Sequence, residues 1–451
     1  MAKKGIRFVD IKEKLNRKAE PKRTTKKVKS IDFKSVSKTK DIFGRNLKIW
    51  KSLEEKINGI LSFYQFDVIE TPVIEYKDLV FKGVWKKDDQ QKKRFFFVEK
   101  TGEKSMVLRP DLLSGMLRSY FENKMQNLNQ PVRLYSLGPV FLDIEDNNFS
   151  QNNQLTLEAI GDSSPIVEIE MINTVKRLLD DFGFEKISVE IDNIGCEKCK
   201  EAYEKEVKKY YRDIKTKVCT KCKKHIKEDF LKVLECKDEK CVALRANLKS
   251  FDQFWCTDCK THFAAITDYL DFLKIEHSSV AGLNKYTSFD NKIVFKINVI
   301  DKERKYEAAV GSRHDELIRT VSNNGKYGVG CNINTNLLFR LFRDNDQKDG
   351  KKEKDFSVFL IQIGDTAKRK AFEIVESLRK EGILAKTSLS KDSLRAQISM
   401  AEKEKVNCIL IIGQEEVIRG EVILRDFQSG LQESVSFAKL IPNLIKRKLA
   451  N

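Results

Sequence analysis

The sequence predicts an α+β core that is interrupted by a cysteine-rich insertion and followed by a separate α/β domain. Three observations support this prediction. Apolar residues recur with both helical and strand spacing, in irregular order, between residues 41 and 343. Eight of the ten cysteines lie between Cys196 and Cys259. A wholly polar run at 344–355, expected to be a linker, precedes a regular alternation of strands and helices.

The composition is that of a folded, basic protein. A chain of 451 residues with 41% hydrophobic residues is long enough for two or three domains with real cores. Lysine and arginine outnumber aspartate and glutamate by 85 to 67, which gives a formal net charge of +18. This balance suits an anionic partner, with nucleic acid the first candidate, although solubility alone also explains it.

The first 40 residues contribute most of the net charge. They hold 15 Lys/Arg and 4 Asp/Glu, a net +11, with little apolar periodicity. We therefore expect residues 1–40 to be a mostly disordered basic arm, which either adds affinity for phosphate or has no partner. No apolar run has the length of a signal peptide core or a membrane span, so we expect a cytoplasmic protein without membrane contact.

The core is expected at residues 41–190 and 263–343. Its first element is an amphipathic helix at 45–64. FFFVEK and SMVLRP predict a hairpin at 95–110, followed by a helix that Asp111 is placed to cap. The other expected elements are strands near 66–76, 131–145, 154–161, 292–300 and 305–310, and helices at 166–182, 264–275 and 333–343.

The last part of the chain, residues 356–451, is expected to form a compact α/β domain. Its apolar runs of strand length alternate with amphipathic stretches of helical length. The expected elements are strands at 356–363, 383–389, 408–413 and 421–427, and helices at 366–381, 391–403 and 436–448.

The insertion, expected at residues 191–262, contains four close pairs of cysteines. The pairs are Cys196/Cys199, Cys219/Cys222, Cys236/Cys241 and Cys256/Cys259. A CxxC turn directs two thiolates at one point, and two such turns complete a tetrahedral site, so eight thiolates predict two structural zinc ions. A reducing compartment disfavours disulfides, and four clustered pairs exceed what a redox site needs. The spacing leaves open which pair joins which.

The remaining cysteines, two histidines and several lysines are not expected to bind the metal. His225 and His262 follow cysteines at ligand spacing, but eight thiolates make histidine ligands unnecessary. Cys331 and Cys408 lie in apolar runs and are expected to be ordinary buried thiols. The lysines around the thiolates either bind phosphate or only offset thiolate charge, and they are Lys198, Lys200, Lys208, Lys209, Lys221, Lys223 and Lys224.

The sequences of several segments, and their order along the chain, resemble those of the histidine–tRNA ligases, which are class II synthetases. The hairpin ending in Leu108-Arg109-Pro110-Asp111 is similar to the LRPE loop of that family. RLYSLGPVF and QLTLEAIG, within 132–161, resemble its second class motif, and VGSRHD at 310–315 resembles its GGRYD turn. The resemblance covers about 41–449 and implies a class II core with an antiparallel sheet, a C-terminal anticodon-binding domain and a homodimer.

The chain differs from this family at the positions of the arginines that stabilise negative charge on the α-phosphate of ATP. The motif 2 arginine position falls on Leu142, the RGLDYY loop begins at Ala281, and motif 3 has Leu337 where arginine is expected. Loss of one such donor costs roughly 10²–10³ in rate. The available substitutes are Lys285, Arg313 and Arg340, of which lysine is the weaker phosphate clamp. In addition, Leu113 replaces a threonine that the family uses in substrate recognition.

The resemblance also implies residues that bind the substrate. Asp111, Gln154, Glu158 and Tyr286 fall on positions that contact histidine in the family. Plainer roles stay open, because Asp111 also fits a helix cap, and Gln154 and Glu158 alternate along one strand as an exposed polar face would. Arg313 and Asp315 equally fit residues that hold a turn together.

Three functions are compatible with the sequence. The first is a tRNA-binding relative of histidine–tRNA ligase whose aminoacylation is lost or strongly weakened. The second is a divergent but active ligase that uses ATP and Mg²⁺. The third is a regulatory subunit of ATP phosphoribosyltransferase, which the C-terminal domain disfavours because that family usually lacks one. A separate active synthetase or a phosphoribosyltransferase is accordingly a candidate partner besides tRNA.

Overall fold

The structure, a computed structural model, divides the chain into two compact units. They comprise Met1–Asp344 and Asn345–Asn451. Of the predicted basic arm, only residues 34–36 and 39–40 are described, and the remainder of the arm lies outside the described residues. The structure describes residues 34–36, 39–82, 84, 95–98, 104–143, 149–184, 186–228, 230–281, 289–301, 304–322, 327–348, 356–388, 393–427 and 429–450.

Strands of the first unit form two sheets. The strands are β1 (Asp67–Val68), β2 (Ile74–Tyr76), β3 (Phe97–Val98), β4 (Met106–Leu108), β5 (Val132–Asp143), β6 (Phe149–Ile160), β7 (Ile187–Gly195), β8 (His277–Ser279), β9 (Asn291–Asp301), β10 (Arg304–Arg313) and β11 (Gly328–Ile333). The larger sheet has the order β1-β5-β6-β11-β10-β9-β7-β8, and the smaller has the order β2-β4-β3. Only the outer pairs β1/β5 and β7/β8 of the larger sheet are parallel. The sheet is therefore antiparallel across its centre.

Helices of the first unit cover this sheet and build the insertion. They are α1 (Gly44–Phe63), α2 (Lys77–Lys82), α3 (Leu113–Glu122), α4 (Ile166–Asp181), α5 (Glu197–Asp213), α6 (Thr220–Glu228), α7 (Glu239–Arg245), α8 (Thr257–Phe272), α9 (Asp315–Val321) and α10 (Thr335–Lys348). The apolar stripes of α1 and α4 share one core with the large sheet, where Leu53, Ile57 and Ile172 are fully buried. Burial of these side chains, at about 1.5–3 kcal/mol each, fixes both helices on the sheet.

The second unit is a mixed five-stranded sheet with helices packed against it. Its strands are β12 (Ser357–Gln362), β13 (Leu384–Thr387), β14 (Cys408–Ile412), β15 (Glu421–Asp426) and β16 (Gln432–Ser436). Its helices are α11 (Asp365–Lys380), α12 (Leu394–Glu404), α13 (Gln414–Arg419) and α14 (Phe437–Ala450). The strand order is β13-β12-β14-β15-β16, with β12 parallel to both neighbours. Strand β12 is buried along its whole length, as expected for a central strand with covered faces.

Some predicted boundaries were wrong. The predicted polar linker at 344–355 begins inside α10, which continues to Lys348, and residues 349–355 lie outside the described part. The helix predicted at 264–275 begins earlier, at Thr257, directly after its N-cap residue Cys256. Strand β11 was missed because GVGCNI has two glycines and little β propensity, although its position between β6 and β10 buries it.

The short elements β8, α9, α13 and β16 were also missed, since each has too few residues for a clear periodic pattern. Among the described residues, no helix combines the length and the apolar character that crossing a bilayer requires.

Candidate functional site

A cavity of about 430 Å³ lies over the central strands of the large sheet. Strands β6, β11 and β10 supply its floor, and the segment that follows β4 supplies one wall. The strand register fixes the floor, because Gly330 pairs with Glu158 on one side and with Ser312 on the other. The lining residues include Asp111, Leu113, Leu142, Gln154, Glu158, Asp290, Ser312, His314, Gly330 and Asn332.

The three described residues predicted to bind substrate all line this cavity. Asp111 directly precedes Leu112, the N-cap residue of α3, and its Oδ1 accepts a hydrogen bond from the Ser114 backbone N–H in the first turn at 2.7 Å. Gln154 is half-buried and donates from Nε2 to Oδ1 of Asn332 at 2.7 Å. The fourth, Tyr286, lies outside the described residues, as do 282–288 as a whole. The fold therefore brings Asp111, Gln154 and Glu158 together in one cavity, although Asp111 is far from the other two in sequence.

Glu158 is not part of an exposed polar face. Its side chain is only 1% exposed, and Oε2 lies 3.1 Å from Nε2 of His314, which is equally buried. A Cβ atom at residue 330 would come within 1.9 Å of Oε1, so the carboxylate needs glycine at that position. Burial lowers the pKa of His314, but the charges of Glu158, Asp290 and Asp315 outweigh it and raise this pKa above its ordinary value.

Three buried polar atoms of the lining have no hydrogen-bond partner among the described residues. They are Oε1 of Gln154, Oε2 of Glu158 and Nε2 of His314, the last two being close but poorly aligned. An unsatisfied buried polar atom costs about 1–3 kcal/mol. The cavity therefore retains the capacity to bind a polar molecule.

The charge of the lining does not suit a phosphate. Asp111, Glu158 and Asp290 contribute carboxylates, whereas the described part of the lining contains no lysine or arginine. Leu142, which was predicted to occupy the motif 2 arginine position, lines the cavity, and so does Leu113. Ala281 is exposed and does not belong to the described lining. An incoming triphosphate would meet negative charge and apolar surface here.

Arg313 is fully buried beneath this site and is committed to other groups. Its Nε and Nη2 donate to the two carboxylate oxygens of Glu168 at 2.6 and 2.7 Å, and Nη1 lies 3.3 Å from Oδ1 of Asp315. Burial raises the pKa of Glu168, but the hydrogen bonds from Arg313 and His262 reverse this and hold it below its ordinary value. The prediction of Arg313 as a substitute for a phosphate-binding arginine is corrected by this geometry: a bidentate pair without solvent access cannot reach a ligand.

Sequence reasoning missed the Glu168 cluster. His262, expected to have no role beside the cysteines, places Nε2 2.7 Å from Oε1 of Glu168. The signal in the sequence was a carboxylate on the apolar face of α4, in helical register with Ile172 and Val175. A charged residue in such a position requires a buried partner.

The other cations near the motifs are also engaged. Arg340 lies on α10 over the ring of Tyr306, with 4.8 Å between the guanidinium carbon and the ring centroid, and does not line the cavity. Arg109 is buried and donates to the carbonyl oxygens of Pro139 and Thr71 at 2.8 and 2.7 Å. Leu337 packs in the main core. Lys285 lies outside the described residues.

The eight cysteines of the insertion form two separate groups of four. The first group joins the outer pairs, Cys196, Cys199, Cys256 and Cys259, and the second joins the inner pairs, Cys219, Cys222, Cys236 and Cys241. Within the groups, the sulfur atoms of Cys196 and Cys199 lie 3.6 Å apart, those of Cys199 and Cys259 lie 3.8 Å apart, and those of Cys219 and Cys236 lie 3.8 Å apart. A tetrahedron with metal–sulfur bonds of about 2.3 Å has sulfur atoms about 3.8 Å apart, so each group could hold a metal ion.

The local backbone favours thiolates in both groups. Cys196 and Cys256 are the N-cap residues of α5 and α8, where the helix dipole stabilises negative charge. The Cys222 backbone N–H donates to the sulfur of Cys219 and lowers the pKa of that thiol to about 7. Burial instead raises the pKa of Cys222 well above its ordinary value, so without a metal this thiol keeps its proton.

The first cysteine group is tied to the wall of the cavity. Asn193 donates to the carbonyl oxygen of Cys259 at 3.0 Å, and Lys292 lies 3.0 Å from Oδ2 of Asp258. Lys200 donates to the carbonyl oxygen of Asp290, a lining residue, and burial lowers the pKa of this lysine. Lys200 is therefore a structural contact rather than a surface cation.

The second cysteine group stands beside a small core of the insertion. Val207, Tyr211, Val218 and Val233 are buried there together with Cys222 and Cys241. This segment is thus less dependent on metal for a core than its polar composition suggests. Next to the group is a groove of about 670 Å³ whose lining includes Lys221, Lys232, Lys237 and His225.

The two cysteines outside the insertion are buried, as predicted, in the two main cores. Cys331 belongs to the core of the first unit and Cys408 to that of the second. Burial raises the pKa of both thiols, that of Cys408 to about 11.

Comparisons with known proteins agree with this architecture. Residues 38–246 match a family model described as histidyl-tRNA synthetase, and residues 357–447 match one described as an anticodon binding domain. The chain is similar to the histidine–tRNA ligase of Acetivibrio thermocellus, 30% identical over 413 residues that cover 90% of this chain and 98% of that protein. The ligase of Halothermothrix orenii is 29% identical over 92% of this chain and 100% of its own length.

Solved structures give the same fold. Apo histidyl-tRNA synthetase of S. aureus superposes with a TM-score of 0.73 at 22% identity, over 90% of this chain and 98% of that one. A Bacillus halodurans ATP phosphoribosyltransferase regulatory subunit/histidyl-tRNA synthetase gives a TM-score of 0.59 at 16% identity, over 85% and 99%. The fold is therefore that of a class II synthetase with a C-terminal anticodon-binding domain, and the chain belongs to the histidyl-tRNA synthetase family.

Proposed function

We propose that this protein is a histidyl-tRNA synthetase relative that binds tRNA and whose aminoacylation activity is lost or strongly weakened. The observation that carries the proposal is the charge of the cavity. Its described lining contains three carboxylates and no lysine or arginine, with Leu142 facing the space at the motif 2 arginine position. Activation of an amino acid by ATP builds negative charge on the α-phosphate, which such a lining does not stabilise.

The magnitude of the effect supports strong weakening rather than modest tuning. One missing oxyanion donor costs roughly 10²–10³ in rate, and an arginine that stabilises phosphoryl transfer contributes about 10³–10⁵. Three family arginine positions carry Leu142, Ala281 and Leu337 in this chain. Arg313 is hydrogen-bonded to Glu168, and Arg340 lies outside the cavity lining. Neither therefore replaces a phosphate-binding arginine of the family.

Binding of tRNA is supported by features that lie outside the cavity. The anticodon-binding family model matches 357–447, and the chain has a formal net charge of +18. In the insertion, Lys221, Lys232 and Lys237 line the groove beside the second cysteine group, and their positive charges suit contacts with phosphates. We propose that this groove and the basic arm at 1–40 contact the tRNA backbone.

Two further properties belong to the proposal. Zinc occupies both cysteine groups as a structural ion, because four thiolates at tetrahedral spacing leave no open coordination position for catalysis. The chain forms a homodimer, as the family resemblance implies. Metal analysis by mass spectrometry, with two zinc ions per chain expected, and sedimentation equilibrium test these two points independently.

Filter binding with tRNA at several salt concentrations tests the RNA-binding part. We expect affinity to fall steeply with salt, and the double substitution Lys221→Ala with Lys237→Ala to reduce the salt slope by up to about 2. Deletion of 1–40 should weaken binding and flatten the slope as well. The matched control is Lys51→Ala, an exposed lysine of α1 paired with Glu54, which should change nothing. Absence of tRNA binding at low salt contradicts this part of the proposal.

Histidine-dependent ATP–pyrophosphate exchange tests the catalytic part. We expect exchange near background for the zinc-loaded protein. The alternative of a divergent active ligase has one observation in its favour, because Asp111, Gln154 and Glu158 still line one cavity. Robust exchange that Lys285→Ala abolishes would establish that alternative, with the lysine replacing an arginine.

A further inference from the structure

Two of the four cysteines in the second group open onto the groove of the insertion, and the other two do not. Cys219 and Cys236 are half-buried and line this groove of about 670 Å³. Cys222 and Cys241, which complete the group, are only 0% and 1% exposed. A small oxidant that enters the groove therefore reaches the first two sulfur atoms and not the other two.

The two sulfur atoms at the groove are close enough to be joined. Sγ of Cys219 lies 3.8 Å from Sγ of Cys236, and since a disulfide bond is about 2.05 Å long, its formation requires them to approach by about 1.8 Å. The two cysteines belong to different close pairs, so a bond between them does not have to form within one CxxC turn. Each thiolate therefore has a second thiolate in position to complete a disulfide.

The groove is electropositive around these two sulfur atoms. Its described lining includes Lys221, Lys232 and Lys237 and a single carboxylate, that of Asp238. Cysteines that react with oxidants are typically partly exposed, close to cations and next to a second cysteine. Cys219 and Cys236 meet all three conditions.

The first cysteine group has no such surplus of cations at its turns. Glu197 offsets Lys198 within one CxxC turn. Asp258, within the other, pairs with Lys292 at 3.0 Å. Since neighbouring cations favour attack by a thiolate, we expect the first group to react with oxidants more slowly than the second.

We propose that Cys219 and Cys236 form a redox-modification site for hydroperoxides, at which oxidation joins them in a disulfide and the zinc ion of the second group is released. With hydrogen peroxide, one thiolate attacks an oxygen atom, the O–O bond breaks, and a sulfenic acid and hydroxide result. The other thiolate attacks the sulfenic sulfur, the S–S bond forms, and a second hydroxide leaves. Two protons from solvent convert both hydroxides to water. The two thiolates are thus oxidised by two electrons, and the peroxide is reduced.

The disulfide removes two of the four sulfur ligands. Only Cys222 and Cys241 remain, and two ligands do not make the closed tetrahedral site that a structural zinc ion requires. The inference deepens the proposed function and rests on it, because it takes zinc to be the metal of the second group.

Zinc release from the full, zinc-loaded chain under hydrogen peroxide tests the proposal. A chromogenic chelator measures the free ion, and we expect one zinc ion per chain to leave at least about 10-fold faster than the other. Peptide mass spectrometry after alkylation should find Cys219 joined to Cys236. Dithiothreitol with added zinc should restore the loaded protein, since the exchange reaction reverses the disulfide.

Variants assign the fast release to one group and to its surroundings. Cys196→Ser retains the zinc ion of the second group and should release it as fast as the wild type, whereas Cys219→Ser retains that of the first group and should release it slowly. Lys221→Ala with Lys237→Ala keeps all eight cysteines and should slow the fast release by at least about 2-fold, because two cations beside the thiolates are lost. Lys198→Ala, in a turn of the first group, is the matched control and should leave the fast release unchanged.

Several results overturn the inference. They are equal release rates from the two groups, a disulfide that includes Cys222 or Cys241, and oxidation of Cys219 without any disulfide. The disulfide is mapped on wild-type protein, so this result does not depend on the folding of a serine variant. Failure here is distinguishable from failure of the proposed function: fewer than two zinc ions before oxidation contradict the proposed metal content, whereas two ions released at one rate contradict only the redox site.

Discussion

Replacing Arg313 with leucine asks whether this arginine holds the fold or serves a phosphate. In the structure its guanidinium donates to both oxygens of Glu168 and lies 3.3 Å from Oδ1 of Asp315. Leucine leaves Glu168 buried with only His262 as a partner. Removing one member of a buried ion pair costs about 3–5 kcal/mol because the other charge stays without compensation. Asp315 adds little to this cost, since it keeps hydrogen bonds from Asn291 and the Gly328 N–H.

Urea unfolding followed by tryptophan fluorescence measures this loss. All three tryptophans, Trp50, Trp85 and Trp255, precede residue 344, so the signal reports only the first unit of a two-unit chain. With an m value of about 3 kcal/mol/M, a loss of 3–5 kcal/mol lowers the midpoint by roughly 1–1.7 M. Zinc is kept at one concentration for every variant, because a ligand of the folded state shifts the midpoint by itself.

Two comparisons make the result decisive. Arg340→Ala removes an exposed cation that stacks on Tyr306, which should cost only about 0.5–1 kcal/mol. Arg313→Leu combined with Glu168→Leu leaves no uncompensated charge between the two positions and should recover part of the stability. A loss below about 1 kcal/mol for Arg313→Leu would refute the structural role.

Three further predictions follow from single sites. The folded-state pKa of Glu168 lies below its ordinary value of 4.5. The ionised carboxylate therefore makes its full contribution to the free energy of unfolding above pH 4.5 and loses it as the pH falls further. In urea titrations, the stability difference between wild type and Glu168→Gln should stay constant above pH 4.5 and shrink below it. Cys196→Ser and Cys219→Ser should each lower the zinc content from two ions to one by mass spectrometry, but only Cys196→Ser should increase the hydrogen exchange of the cavity wall around Asp290, to which Lys200 donates. Gly330→Ala should cost about 1–3 kcal/mol in the same unfolding assay, because its methyl falls 1.9 Å from a buried carboxylate oxygen, whereas Gly59→Ala, with open space around it, should be neutral or stabilising.

The unequal effect expected of the two cysteine groups has a structural cause. The first group is connected to the cavity wall, as Lys200 on α5 donates to the Asp290 carbonyl and Asn193 donates to the Cys259 carbonyl. The second group is surrounded by the core of the insertion itself, including Val207 and Tyr211. Loss of the first ion should therefore disturb the site, and loss of the second should disturb mainly the insertion.

Much of the architecture was predictable because long periodic segments carry their own signal. The helix predicted at 45–64 is α1, Gly44–Phe63, and the helix predicted at 166–182 is α4, Ile166–Asp181. The regular alternation after residue 356 predicted every element of the second unit except the short α13 and β16. Strand β11 was not predicted, because it is buried by its two neighbouring strands and its own residues show little β propensity.

The family, the order of the main elements and the four cysteine pairs could be read from the residues alone, since each is a local pattern of residue types. The tertiary structure decided which cysteine pairs combine, because chain spacing does not say which turns meet in space. It also decided that Arg313 serves Glu168 and that His314 faces Glu158. Those contacts arise from the register of β6, β11 and β10, and only the folded sheet brings strands so distant in sequence together.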